Sequence, residues 1–205
     1  LTVLGSIVPV SQAPPVLPDI GVQQPAGTNL TDAATTNDFG PGLILATNLS
    51  KTFIITNSGA TNLTGLTITK DGAHAADFIV SAVANTNVPP NGSTTFTVAF
   101  APAAVGLRTA AIHIASNDPD ENPFDITLTG TGIAATYALA ATNRIVGPGA
   151  GSDSVVLTAT PEIASWNAVA TTPWLHINPG SLSGTGSTNV VFSFDANAGA
   201  TRTGN

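Results

Sequence analysis

The chain contains no cysteine and no methionine, holds only five Lys and Arg against twelve Asp and Glu, and is 5% aromatic. Lack of cysteine excludes disulfides, thiolate nucleophiles and sulfur-ligated metals together, and leaves the redox compartment open. A formal net charge of -7 repels a phosphate backbone or an anionic lipid surface, so neither nucleic-acid binding nor membrane association is expected. No apolar run approaches the roughly 18 residues that a membrane-spanning helix needs, so membrane insertion is not expected. Leu1 to Val10 is apolar but has neither a basic flank nor a small-residue cleavage site, which makes it a poor signal peptide. With Leu rather than Met in first place, the chain reads as a mature or excised segment.

What is present points to strands. The 205 residues suit two domains of about 100 residues better than one. Apolar residues make up 42%, drawn mostly from Ala, Val, Ile and Leu, and about a fifth of the chain is Thr or Ser. Together with 20 Gly and 15 Pro, this is the composition of short strands joined by many turns.

Along the chain, Gln12 to Pro25 is rich in proline and reads as an extended connector into a first strand near Asp19 to Gln23. Period-two alternation then marks 51–57, 63–70, 93–100, 108–115 and 123–130 as strands. In these, Phe53 and Ile55, Phe96, Val98 and Phe100, Ile112 and Ile114, and Phe124, Ile126 and Leu128 face one core. Asn57-Ser58-Gly59, Pro89 to Gly92 and Asn117 to Asp120 supply turns, giving a sandwich of about seven strands. A second series covers 135–140, 154–160, 166–170, 175–177 and 189–194, separated by Gly147 to Gly151, Pro179-Gly180 and Gly184 to Gly186. No segment carries a 3.6-residue stripe, so helix is limited to short turns, such as one around Ala73 to Asp77. The expected fold is all-β, with two immunoglobulin-like β-sandwich domains in tandem.

Candidate chemistry is sparse. His74, His113 and His176 are far apart and none has a partner three or four residues on, so no helix-borne metal pair exists. His113 and His176 alternate outward between apolar neighbours and read as surface positions. No Gly-x-Ser-x-Gly elbow accompanies the scattered Ser, His and Asp, and Gly147 to Gly151 departs from both phosphate-binding spacings. No catalytic residue, cofactor or metal ligand is therefore assigned, and the chain is not expected to be an enzyme. Asp118, Asp120 and Glu121 crowd three carboxylates into one turn without the spacing of a Ca²⁺ loop, and read as a solvated hairpin tip. The Asn-x-Ser/Thr sites at Asn29, Asn48, Asn62 and Asn91 are about as many as chance provides. Lys51 and Lys70 could cross-link to an asparagine in principle, but the sequence identifies no carboxylate to assist. Trp166 and Trp174 are the two candidates for stacking on a sugar ring, weighed against filling a second core poor in large side chains.

The first half resembles the choice-of-anchor D repeats, immunoglobulin-like relatives of hydin-type domains. The matching residues are Asp38-Phe39-Gly40, Phe53 to Gly59, Ala76-Asp77-Phe78, Pro90 to Val98, Phe100-Ala101-Pro102, Ser116 to Asp120 and Leu128 to Gly132. This resemblance implies a spacer or interaction module of surface and secreted proteins, with no catalytic residues to carry over. The second half resembles a BACON domain, a sandwich family proposed to bind carbohydrate or mucin. Here the residues are Trp166, Trp174 to Ile177, Gly184 to Ser187, Val190 to Phe194, Asn197 and Ala200 to Gly204. In that family another strand and a hairpin follow the Arg-Thr-Gly segment, whereas the present sequence ends at Asn205.

The segment Leu1 to Gln12 looks like that terminal hairpin, with Leu1 and Val3, and Val8 and Val10, as alternating inward pairs about Gly5-Ser6. Asn205 then runs on into Leu1, and the sequence reads as one period of a head-to-tail array. The expected boundaries are 1–12 for the hairpin completing a neighbour's second domain and 13–25 for the linker. The first sandwich takes 26–132 and the second, lacking its last strands, takes 133–205. A continuous chain of repeats and separate subunits joined by β-strand addition both satisfy this reading. Burying four Leu and Val side chains at about 1.5 to 3 kcal/mol each is enough to decide whether such a domain folds. The expected role is a bacterial, extracellular or cell-surface structural subunit whose partner is itself, assembled into a fibre or stalk. The alternative is a carbohydrate-binding or adhesion module with glycans as partners.

Overall fold

The computed structural model of the chain describes residues 16–44 and 49–205. The expected hairpin with Leu1, Val3, Val8 and Val10 lies outside the described residues, as does Asn48. The chain divides into two compact units at Gly132 and Ile133. Both are built of β-strands, and the only helical elements among the described residues are two single 3-10 turns, Ala75–Asp77 and Pro179–Ser181.

The first unit has eight strands, one more than the sequence pattern suggests: β1 (Ile20–Gln23), β2 (Thr36–Leu43), β3 (Leu49–Asn57), β4 (Thr67–Asp71), β5 (Phe78–Val80), β6 (Ser93–Phe100), β7 (Gly106–Ala115) and β8 (Phe124–Ile133). They form two four-stranded sheets, ordered β1-β3-β6-β5 and β2-β8-β7-β4. The ten core residues expected from the alternation are each at most 2% exposed. Phe53 stands opposite Phe96 on paired strands, and their rings stack at 5.0 Å between centroids. Phe78 and Phe100 repeat that arrangement at 5.0 Å. Large side chains on every second residue, from two sheets that each bury one face, close this core without help from disulfides.

One expected strand is shorter than its pattern. The run 63–70 is ladder only from Thr67, because Gly65 takes φ +70 and turns the chain. Leu63, fully buried, instead makes an isolated bridge with Val88.

The second unit contains β9 (Thr136–Leu139), β10 (Gly151–Thr160), β11 (Ser165–Asn167), β12 (Leu175–Ile177), β13 (Ser183–Thr185) and β14 (Thr188–Phe194). A four-stranded sheet, β12-β14-β10-β9, accompanies a two-stranded one, β11-β13. The strand expected over 166–170 reaches only to Asn167, and β13 occupies residues expected to be a separator. β13 carries no alternating apolar pair, and its central residue is glycine because the Trp166 ring lies there. A Cβ on Gly184 would come within 2.5 Å of that ring. The ladder registers put Leu139, Val155, Leu157, Leu175, Ile177, Val190, Phe192 and Phe194 on one face of the larger sheet. Tyr137 and Ala159 share that face. Of these ten, only Leu157, Ala159 and Val190 are buried.

Candidate functional site

The half-covered face of the second unit is bordered by β11. Ala168 N donates to Leu182 O and Gly186 N to Ala164 O, so even-numbered residues of this stretch turn their backbone groups toward β13. Odd-numbered residues turn theirs the other way, and among the described residues no strand pairs with that outer edge. Unpaired strand edges are templates for another strand.

The last residues run beside this edge. Asn205 O accepts from Thr171 N at 2.7 Å and from Thr171 Oγ1 at 2.9 Å. Three residues back, Arg202 lies over the Trp174 ring, 4.3 Å from guanidinium carbon to centroid, and donates to the carbonyl of Asp195. Residues 202–205 therefore travel antiparallel to 171–174. The Thr172 hydroxyl beside them is buried without a partner.

The two tryptophans expected as sugar contacts are engaged separately. Trp166, on β11, is half-buried against Gly184 and donates from Nε1 to Gly186 O at 2.9 Å. Trp174, also half-buried, precedes β12 and presents one face to Arg202. Tyr137, on β9, reaches Ser165 O with its hydroxyl at 2.6 Å and links the larger sheet to β11.

The remaining polar candidates lie in the first unit. His113, on β7, is held between two carboxylates: Nδ1 is 2.7 Å from Asp125 on β8, and Nε2 is 3.4 Å from Asp71 on β4. The hydrogen bond to Asp125 raises its pKa above the ordinary imidazole value; partial burial opposes this and Asp71 adds to it. The alternation that turns His113 outward carries no signal for either acid, since it is the register that sets Asp125 opposite it. His74 accepts Thr109 N at Nδ1, 3.0 Å away, and His176 pairs with Asp195 at 3.2 Å.

The acidic turn is not a plain solvated tip. Carboxylate oxygens of Asp19, Asp118 and Glu121 lie within 4.8 Å of one another. Asp118 is 1% exposed and is committed to backbone amides, accepting Ile20 N at 2.7 Å and Asp120 N at 3.2 Å. Burial first, then the nearby Asp118 and Asp19 charges, push the Glu121 carboxyl above its usual range. Asp118 thus anchors β1 to the β7–β8 turn, with carboxylate oxygens of the kind that hard cations favour gathered beside it. Asp19 comes from a distant part of the chain, so no spacing signal could have added it.

Lys51 does meet an asparagine. Its Nζ lies 3.0 Å from Asn37 Oδ1 and 2.6 Å from Asp38 O, above the Phe39 ring at 5.1 Å. Among the described residues no carboxylate pairs with it, so the contact ties β3 to β2 by hydrogen bonds. Lys70 bonds the carbonyls of Ala75 and Phe78 at 2.8 and 2.6 Å. No helix among the described residues is long and apolar enough to cross a membrane.

Residues 34–131 match the family model of the HYDIN/CFA65/VesB-like Ig-like domain. The resemblance of the first unit to hydin-type immunoglobulin-like domains therefore holds, and the match ends before the second unit. No curated protein matches the chain. Among solved structures it is similar to the ASH/PapD-like domain 7 of human CEP192, at 12% identity and TM-score 0.39, over 65% of this chain and 97% of that one. It is also similar to the Vibrio cholerae protease VesB, at 17% identity and TM-score 0.37, over 48% of this chain and 30% of that one. A third is the Yersinia pseudotuberculosis adhesin InvE, at 13% identity and TM-score 0.27, over 87% of this chain and 52% of that one. The chain thus spans less than a third of VesB and about half of InvE.

Proposed function

We propose that the chain is a non-enzymatic, extracellular structural unit whose copies join head to tail into a fibre or surface stalk. The Leu1 to Gln12 segment of one copy completes the second sandwich of the next. One observation carries this reading: the contrast between the two cores. In the first unit the inward aromatics are sealed between two four-stranded sheets. In the second, Phe192, Phe194, Leu175, Ile177 and Val155 are only half-buried on a sheet faced by two short strands. Apolar area left in this state is removed from water by added strands, at roughly 25 cal/mol per Å² covered. Leu1, Val3, Val8 and Val10 supply the alternating apolar pattern that such strands require.

The test is the particle mass of the native sample before and after denaturation, for the whole chain and for a variant lacking residues 1–12. The reading expects a many-chain native particle, and a shortened variant that no longer assembles. A native particle of one 20.4 kDa chain, or unimpaired assembly of the shortened variant, overturns it.

A further inference from the structure

We infer that the outer edge of β11 is the acceptor, and that Leu1 to Gly5 of a second copy pairs antiparallel along it in a register set by Asn205 and Thr171. This inference rests on the head-to-tail reading above and gives it an address.

Residues 202–205 already travel antiparallel to 174–171, ending with Asn205 O on Thr171 N at 2.7 Å. Over 164–168 the odd-numbered residues are those whose backbone groups turn away from β13, and Thr171 has the same parity. The same track prolonged therefore passes along Ala170 to Ser165, where β11 has no partner among the described residues. Keeping step with the Asn205–Thr171 pair sets Leu1 opposite Ala170, Thr2 opposite Val169, Val3 opposite Ala168 and Gly5 opposite Trp166.

The side-chain pattern bears on this register independently of the backbone. Opposed residues share a face. Trp166, Ala168 and Ala170 are half-buried, whereas Ser165, Asn167 and Val169 are exposed. Leu1 and Val3 thus fall on the half-buried side and Thr2 on the exposed one, while Leu4 lies opposite exposed Asn167 at the approach to the Gly5-Ser6 turn. Gly5 falls opposite Trp166, whose partner on β13 is also a glycine, Gly184. A slip of one residue would send Leu1 and Val3 to the exposed face. The occupant is a second copy of this sequence, present as a separate subunit.

The chain has no cysteine, so an introduced pair is unambiguous. Val3 and Ala168 fall at a non-hydrogen-bonded antiparallel position, where side chains approach closely enough for a disulfide. The Val3→Cys, Ala168→Cys variant, oxidised after assembly, should give a ladder in steps of one chain on a non-reducing gel that collapses on reduction. Val3→Cys with Val169→Cys, which point to opposite faces, should not. Leu1→Cys with Ala170→Cys should repeat the ladder, and guards against local misfolding of the first pair. Assembly of normal mass without the 3–168 link, or with an equal 3–169 link, overturns the edge and register while leaving head-to-tail joining intact. A link confined within single chains overturns the second copy as occupant. A native mass of one chain removes this inference together with the reading on which it rests.

Discussion

His113 and Asp125 stand directly opposite each other on neighbouring strands, with Nδ1 2.7 Å from the carboxylate oxygen. The pairing raises the histidine pKa, so the folded state holds the proton more tightly than the unfolded chain does. Its contribution is fully present below the ordinary value near 6.5 and is lost as pH rises through the raised pKa. For a partly exposed pair this is about 0.2 to 1 kcal/mol. The thermal unfolding temperature of the first unit should therefore fall as pH rises above about 6.5. His113→Gln should flatten that dependence, and an unchanged pH profile in this variant would count against the assignment.

The Arg108–Asp77 ion pair is largely buried, with side chains 16% and 5% exposed and Nε 2.5 Å from Oδ2. Asp77→Ala leaves the guanidinium without its partner and should destabilise the first unit by about 3 to 5 kcal/mol in chemical denaturation. Replacing both residues by apolar ones of similar size should restore much of the loss.

Asp118 holds two backbone amides from a nearly fully buried position. Asp118→Ala should cost about 1 to 3 kcal/mol, and hydrogen exchange should report faster opening at the Ile20 amide in particular. Unchanged protection there would remove its anchoring role.

Gly184 lies where a Cβ would come within 2.5 Å of the Trp166 ring. Gly184→Ala should destabilise the second unit by about 1 to 3 kcal/mol and shift Trp fluorescence, while leaving the first unit unaltered. The second effect separates local overpacking from general misfolding.

Arg202 covers one face of Trp174. On the alternative reading as a carbohydrate-binding module, a sugar stacking on that face must displace the guanidinium, so Arg202→Ala should strengthen saccharide binding and Trp174→Ala should abolish it. A glycan array with circular dichroism as the folding control reads both. Failure of either variant to change binding removes Trp174 as a glycan contact.

The sequence by itself determined the all-β class, the strands of the first sandwich and its core. Phe53, Phe96, Ile112 and Ile126 sit on regular period-two runs, and each such run can bury only one of its faces. It also carried the alternating apolar residues Leu1, Val3, Val8 and Val10. Tertiary structure alone decided what depends on register and on distant partners. No local signal brings Asp19 to Asp118, or places His113 between acids on two neighbouring strands. β13 was illegible because its defining residue, Gly184, is chosen by the ring of Trp166 and not by its own neighbours in the chain. Trp166 and Trp174 were visible as candidates, but only the fold could show one resting on glycine and the other under an arginine. The half-covered second core follows for the same reason. Alternation says which residues face inward, whereas what covers them depends on how many strands the opposing sheet contains.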